Sequence, residues 1–172
     1  MIERYTRPEM GKLWDDETRF KTWLEVELAV CEAWHALGVI DADSMSQIRR
    51  KAGFDLSRIY EIEGQTRHDV IAFLTAVEEK VGPAARYIHL GCTSSDIVDT
   101  ANALLLTRAG VMIVSGFERL LSVLKKLAFE HKGRLTIGRT HGIHAEPTSF
   151  GLKFSGFYAE FARHLLRFKE AA

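Results

Sequence analysis

The sequence predicts an all-α protein, in which a small helical N-terminal domain precedes the first long helices of a helical bundle. Nearly every long stretch repeats bulky apolar residues every three or four positions, which is the period of one helix face. No stretch alternates polar and apolar residues as a half-buried strand would. Since 47% of the 172 residues are hydrophobic, the chain can also bury a core. We place the domain boundary so that residues 1–111 form the first domain and residues 112–172 begin the second.

The first strongly periodic segment predicts a helix from Phe20 to Leu37. Asp15 or Asp16 can cap its start, because a carboxylate there accepts hydrogen bonds from free backbone amides. Gly38 follows as a stop signal. The apolar face of this helix is formed by Phe20, Trp23, Leu24, Leu28, Cys31, Trp34 and Leu37.

Two shorter helices are predicted next, over residues 43–52 and from residue 55 to about residue 62. Apolar steps of four, three and four residues then predict a helix from about Arg67 onwards. Thr66 is its expected N-cap, and the Gly-Pro pair at 82–83 is its expected end.

The next helical pattern runs over residues 95–132, with a break between two helices expected at Gly110 or Gly116. Residues 134–144 are predicted to be extended or looped. A last helix, starting at residue 147 or 148, carries an aromatic stripe to the C-terminus without a stop signal. Because such a stripe needs a packing partner, we expect the chain to be the N-terminal piece of a longer protein.

The composition excludes strong electrostatic recruitment, because 23 basic residues balance 23 acidic ones. Cys31 and Cys92 lie outside any metal-ligand or C-x-x-C spacing. We expect them to be free thiols in a reducing cytoplasm, with one disulfide as the alternative. The N-terminus has no signal-peptide core, and no apolar run is expected to approach membrane-spanning length. The prediction is a soluble cytoplasmic protein that binds neither nucleic acid nor membrane.

The first polar cluster is QTRHDV, residues 65–70. Thr66 and Asp69 have the spacing of a capping box, which would explain both by local helix chemistry. Capping leaves Arg67 and His68 unexplained, because cations in a first helical turn oppose the helix dipole. The alternative is an anion site made by these side chains and the free backbone amides.

The second polar cluster is GCTSSDIVDT, residues 91–100. Thr93 and Asp96 repeat the capping spacing, so capping is again the simplest interpretation. Consecutive hydroxyl groups at a helix start can also bind an anion, and Gly91 lets a ligand approach the backbone. Two helix starts of this kind suggest a ligand with two or more anionic groups.

The third cluster is GRTHGIHAEP, residues 138–147, with His141 and His144 three residues apart. A metal would need further ligands, and no complete set is found beside them. Gly142 and Pro147 argue against a helix interior here. Two interpretations remain, a histidine packed at a loop corner and a proton donor or acceptor, since histidine titrates near neutrality.

Together the clusters resemble the conserved regions of the fumarase/aspartase superfamily, and within it the bacterial adenylosuccinate lyase family. The matching segments follow that family's order and spacing and span all 172 residues. The Arg-His-Asp run at 67–69 points to adenylosuccinate, because sister lyases share the more general TSSD and GRTH themes. The segments are MIERYTRPEM, LWDDETRFKTWLEVELAV, TRHDVIAF, HLGCTSSDIVDTANALLL and GRTHGIHAEPTSFGLK.

The resemblance implies a β-elimination in purine nucleotide biosynthesis, in which adenylosuccinate gives AMP and SAICAR gives AICAR, each with fumarate. A base removes a proton from the carbon beside a carboxylate, the C–N bond breaks, and the departing nitrogen takes a proton. No cofactor and no metal are expected. The family forms homotetramers whose active sites draw residues from three subunits.

By resemblance, His141 is the general acid that protonates the leaving nitrogen, although His68 stays an alternative proton carrier. Thr93 and Ser94 would hold a succinyl or fumarate carboxylate. His144 is interpreted as loop structure or as support for His141. The substrate-binding positions implied by the resemblance are Arg4, Tyr5, Arg67, His68, Asp69, Thr93, Ser94 and Thr140.

The family's general base is a serine on a mobile glycine-rich loop that residues 1–172 do not supply. We therefore expect these residues alone to be inactive. Two other functions remain open, another lyase of the superfamily, such as argininosuccinate lyase, and a non-catalytic helical interaction module that keeps ancestral motifs.

Overall fold

The computed structural model describes residues 2–171, except for the side chain of Glu3, and it confirms the predicted helical class. Met1 and Ala172, the outer ends of the two predicted domains, lie outside the described residues. Short 3-10 helices occupy Glu3–Tyr5 and Pro83–Tyr87. The α-helices are α1 (Pro8–Leu13), α2 (Asp16–Ala36), α3 (Ala42–Lys51), α4 (Leu56–Thr66), α5 (Asp69–Val81), α6 (Ser94–Glu130) and α7 (Phe150–Ala171), and the strands are β1 (Leu135–Thr140) and β2 (Ile143–Ser149).

The chain folds into two compact units, Met1–Arg108 and Ala109–Ala172. The division falls inside α6, and so does the predicted boundary between residues 111 and 112. That boundary stays a prediction.

Aspartates cap three helices of the first unit, as predicted for α2. The carboxylates of Asp15, Asp41 and Asp55 accept hydrogen bonds from backbone N–H groups two or three residues later, at 2.7, 2.8 and 3.0 Å. These bonds contribute to lowering the pKa of each carboxyl group. The caps of α3 and α4 were not predicted, and these helices begin at Ala42 and Leu56, each one residue from the predicted start.

The core of the first unit is built around four aromatic rings. Phe20 and Trp23 on α2 meet Phe73 on α5, with ring centroids 5.7 and 5.6 Å apart, respectively. Phe54 packs against Phe20 and Phe73 at 6.0 Å. The periodic apolar face predicted for α2 thus contacts α5. This packing holds α5, which begins in the polar cluster at residues 65–70 and ends before the one at residues 91–100.

Helix α6 is continuous over 37 residues, so the predicted break at Gly110 or Gly116 is wrong. A glycine inside a helix costs only about 1 kcal/mol relative to alanine, which a long helix can absorb. One stretch of 18 residues in α6 has a mean hydropathy of 1.5, so by length and composition α6 could span a membrane, contrary to the prediction. Core helices of soluble proteins can be equally long and apolar, so this finding does not place α6 in a membrane.

The second unit contains an antiparallel hairpin of β1 and β2, in a region predicted to be only extended or looped. Pro147 and Thr148 pair with Ile137 and Thr136, so α7 begins at Phe150 rather than at residue 147 or 148. The short strands were missed because only a few of their side chains alternate. The hairpin leads directly into α7, whose aromatic side chains include Phe150 and Phe154 with ring centroids 5.0 Å apart.

Candidate active site

The nine predicted site residues occur in four local groups. Three groups belong to the unit Met1–Arg108, and the fourth belongs to the hairpin of the unit Ala109–Ala172. Each group lies at the end of a helix or strand, where backbone or side-chain polar groups are not used by regular structure. The groups are Arg4 with Tyr5, Arg67 with His68 and Asp69, Thr93 with Ser94, and Thr140 with His141.

The group at residues 67–69 forms the junction between α4 and α5, and the predicted capping arrangement there is wrong. Thr66 is the last residue of α4, and its hydroxyl donates to the carbonyl of Ile62 at 3.1 Å. Arg67 adopts a left-handed conformation with φ 53°, which ends α4. His68, not Thr66, is the N-cap of α5, because Nδ1 accepts the N–H of Ile71 at 3.3 Å. The sequence predicted two helices here but ended the first at about residue 62 instead of Thr66, so Thr66 was assigned to the start of the second helix.

The capping bond determines what His68 can offer to a ligand. Since Nδ1 accepts a hydrogen bond, a neutral ring carries its proton on Nε2 and can donate from there. The side chain is about half exposed. Arg67 lines a cavity of about 290 Å³ with Tyr60, Glu63 and Gly64. Arg67 and His68 are thus two donor side chains at the positive end of α5, which suits an anionic group, although the amides of Val70 and Ile71 are already bonded by Asp69 and His68.

The group at residues 93–94 precedes α6, and its predicted cap is confirmed. The carboxylate of Asp96 accepts the backbone N–H of Thr93 at 2.7 Å and its hydroxyl at 3.2 Å. These bonds lower the pKa of Asp96, with the backbone N–H as the main cause. Ser94 is the first residue of α6, so its backbone amide belongs to the free positive end of a long helix.

Thr140 and His141 lie at the tip of the hairpin, where His141 and Gly142 form a two-residue turn. Their φ angles are 49° and 74°, and two positive values are typical of a type I′ turn. The side chain of His141 is exposed, so the interpretation of a packed loop corner is wrong. His144 is exposed on β2, opposite Arg139. Within residues 2–171 no three His, Cys, Asp or Glu side chains come together as a metal site would require.

Arg4 and Tyr5 lie in the first 3-10 helix and are exposed. The guanidinium carbon of Arg4 lies 4.9 Å from the centre of the Tyr5 ring, which is a cation–π distance. A planar cation stacked on an aromatic ring is a suitable surface for a phosphate or a base.

Three residues other than glycine have positive φ in the described chain, and they are Arg67, His89 and His141. Left-handed backbone is costly for such residues and concentrates at functional sites. Arg67 and His141 are also site residues implied by the resemblance, although their left-handed conformation was not predicted. His89 was missed.

The partner of His89 was missed as well. Glu27 on α2 is completely buried, and its carboxylate accepts hydrogen bonds from the backbone N–H and the ring Nδ1 of His89. One sequence signal could have indicated Glu27, since this acidic residue lies four positions after Trp23 and four before Cys31, inside the apolar face of α2. No local signal indicates that its partner lies 62 residues later.

Comparison with known proteins places these features in a family. A family model described as Lyase matches residues 3–172. The adenylosuccinate lyase of Bacillus subtilis (strain 168) is 51% identical over 171 residues, which are 99% of this chain and 40% of that protein. The adenylosuccinate lyase of Synechocystis sp. is 52% identical over 164 residues, 95% of this chain and 38% of that protein.

Solved structures agree in fold. The fumarate lyase from Mesorhizobium sp. BNC1 superposes with a TM-score of 0.88 at 28% identity, over 94% of this chain and 39% of the other. The chain spans about 40% of the length of the Bacillus subtilis relative. Since the family model covers nearly every residue, the chain belongs to the lyase family of the fumarase/aspartase superfamily.

Proposed function

We propose that the chain is part of a lyase that eliminates fumarate from adenylosuccinate, giving AMP, and from SAICAR, giving AICAR. The curated relatives with about half of their aligned residues identical are named adenylosuccinate lyase. In the same proposal the whole protein is a cytoplasmic homotetramer without a cofactor, and residues 1–111 and 112–172 contribute to different domains. The proposed substrate-binding residues are Arg4, Tyr5, Arg67, His68, Asp69, Thr93, Ser94 and Thr140.

The proposed reaction breaks a C–N bond and forms the double bond of fumarate. A base removes a proton from the carbon beside a substrate carboxylate, and the electron pair of that C–H bond becomes the new C=C bond. The C–N electron pair leaves with nitrogen, which takes a proton from His141. Negative charge grows on the carboxylate meanwhile, and donors from Thr93, Ser94 and Thr140 stabilise it. The base is assigned to no residue of this chain.

The observation that carries the proposal is the conformation of His141. A type I′ turn position with φ 49° accepts asparagine, glycine or histidine, so the turn tolerates His141 but does not require an imidazole. The turn presents an exposed imidazole on a rigid hairpin, and imidazole is the side chain best suited to give a proton near neutral pH. An exposed imidazole at this turn is therefore available for proton transfer, which supports the proposed role of His141.

The test is a hybrid enzyme in which a relative supplies the residues that follow this chain, the general base among them. In the Bacillus subtilis adenylosuccinate lyase, the matching 171 residues are replaced by this chain, and fumarate release is measured. We expect turnover of adenylosuccinate by the hybrid and none by residues 1–172 alone. A hybrid that forms tetramers but releases no fumarate would overturn the proposal.

Ligand stabilisation separates the proposal from its nearest rival. AMP with fumarate should raise the midpoint of thermal unfolding of the hybrid more than arginine with fumarate does. The reason is that a ligand stabilises the folded state in proportion to how tightly it binds there. The opposite order would favour an argininosuccinate lyase. Equal absence of stabilisation, with folding intact, would favour the non-catalytic interaction module.

A further inference from the structure

Glu27 is a buried carboxylate that the proposed elimination does not use. Its side chain is 0% exposed, and that of His89 is 20% exposed. Oε2 accepts the backbone N–H of His89 at 2.9 Å, and Oε1 lies 2.7 Å from Nδ1 of its ring. Burial raises the pKa of Glu27, while the hydrogen bonds from His89 act against that rise. Carboxylates are almost never fully buried unless they are paired, so the pair is a specific arrangement rather than an accident of packing.

His89 holds a backbone conformation that favours glycine. Its φ is 66°, where the β-carbon of an ordinary residue crowds a neighbouring carbonyl. Gly91 follows with φ 77°, and a β-carbon there would lie 3.4 Å from the Trp34 ring. The chain thus turns sharply between residues 88 and 93, immediately before Thr93 and α6. The hydrogen bond from the His89 N–H to Glu27 restrains this turn.

Two more side chains of α2, on the helix face that carries Glu27, bond backbone carbonyls within this turn or next to it. Glu27, Cys31 and Trp34 are spaced by four and three residues, so their side chains leave the helix on the same side. The Trp34 indole N–H donates to the carbonyl of Leu90 at 2.9 Å. The Cys31 thiol donates to the carbonyl of Tyr87 at 3.8 Å. Of these three anchors, Glu27 binds both the backbone and the side chain of its partner.

We infer that Glu27 is a positioning residue, which fixes the loop of residues 88–93 through His89 and thereby places Thr93 and Ser94 for the substrate. This inference rests on the proposed function, which assigns a substrate carboxylate to Thr93 and Ser94. When Glu27 is ionised, its carboxylate only accepts hydrogen bonds, so Nδ1 of His89 carries the proton of their contact. In a neutral ring, Nε2 is then the unprotonated nitrogen. Glu27 therefore sets both the path of the loop and the tautomer of the ring.

The first test needs no substrate and uses NMR of the 172-residue chain with ¹⁵N-labelled histidine and threonine. The parent should show His89 protonated on Nδ1. Glu27→Gln keeps the shape of the side chain but replaces one accepting oxygen with a donating NH₂ group. The ring signals of His89 and the amide signal of Thr93 should both shift. The matched control is Glu32→Gln, on the same helix, whose carboxylate bonds Arg49 at the exposed surface and should leave these signals unchanged.

The second test asks whether the loop position matters to the reaction in the Bacillus subtilis hybrid. Glu27→Gln should raise KM for adenylosuccinate about tenfold or more, as loss of a residue that orients a histidine commonly does. Glu32→Gln should not change it. If Glu27 acts through His89, then Glu27→Gln should have a smaller effect on KM in His89→Asn than in the parent, because asparagine tolerates the left-handed backbone and offers no ring to orient, so only the backbone bond to Glu27 remains.

The outcomes separate this inference from the proposed function. Unshifted His89 and Thr93 signals in Glu27→Gln would overturn the positioning of the loop, whatever the activity. Unchanged KM with only a lower unfolding temperature would show a purely structural pair and would also overturn the inference. If the increases in KM caused by Glu27→Gln and by His89→Asn multiplied in the double variant, the inference would also be overturned. An inactive parent hybrid would overturn the proposed function, while the NMR result would still decide whether Glu27 fixes the loop.

Discussion

At the scale of single residues, the two cysteines differ in reactivity because they differ in burial. Both are free thiols, as predicted. Burial raises the pKa of Cys31 to about 11, so only about one molecule in a thousand carries the thiolate at pH 8. Burial also raises the pKa of Cys92, which is only partly buried.

We therefore expect a thiol reagent at pH 8 to label Cys92 in the native protein and Cys31 only after unfolding. Mass spectrometry of the labelled peptides measures this directly. Cys92→Ser is the control, and it should remove the fast reaction. Labelling of Cys31 in the native state at a similar rate would contradict the packing described for α2.

Asp96 should make stability depend on pH. Its hydrogen bonds from Thr93 lower its pKa in the folded protein below the unfolded value of about 3.9. A lowered folded pKa means that the carboxylate stabilises the fold above about pH 4, and that this contribution is lost as the pH falls through the folded pKa.

Asp96→Ala should accordingly lower the midpoint of thermal unfolding at pH 7, and the difference from the parent should shrink as the pH drops below about 4. Scanning calorimetry across this range measures it. Asp99→Ala, three residues later on α6, is the matched control and should have a smaller effect. A difference between Asp96→Ala and the parent that does not depend on pH would show that the cap acts without its charge.

At the scale of elements, the start of α7 depends on a glycine that lies against the end of α6. A β-carbon on Gly151 would overlap the carbonyl oxygen of Ala128 and lie 2.7 Å from the α-carbon of Lys132. Gly156, on the same helix, has no atom within 4 Å of such a carbon. The two glycines therefore make a matched pair.

Gly151→Ala should destabilise the protein by about 1–3 kcal/mol, because backbone atoms must move to make room. Gly156→Ala should stabilise it by about 0.5–1 kcal/mol, because alanine is the better helix former. Urea unfolding of both variants measures the change. Equal effects of the same sign would contradict the close approach of α6 and α7.

At the scale of the whole molecule, the sequence predicts what local chemistry determines. Apolar periodicity and an aspartate cap predicted α2, the shorter α3 and α4 were predicted with approximate bounds, and the motifs predicted that Thr93 lies at a helix start and His141 outside a helix. The hairpin was missed because only a few side chains of its short strands alternate, and the N-cap role of His68 was missed because Thr66 offered an equally plausible local signal. The bond between Glu27 and His89 spans 62 residues, so no window of sequence contains it.

The central claim is that the hairpin turn presents His141 as the proton donor of a fumarate-releasing elimination. The most direct measurement is kcat of the Bacillus subtilis hybrid carrying His141→Asn, since asparagine fits the left-handed turn but cannot donate a proton as imidazolium does. We predict that kcat for adenylosuccinate falls about 10² to 10⁴-fold while the unfolding temperature stays near that of the parent. His144→Asn, at an exposed histidine on β2, should retain most of the turnover. An unchanged kcat in His141→Asn would show that His141 is not the proton donor.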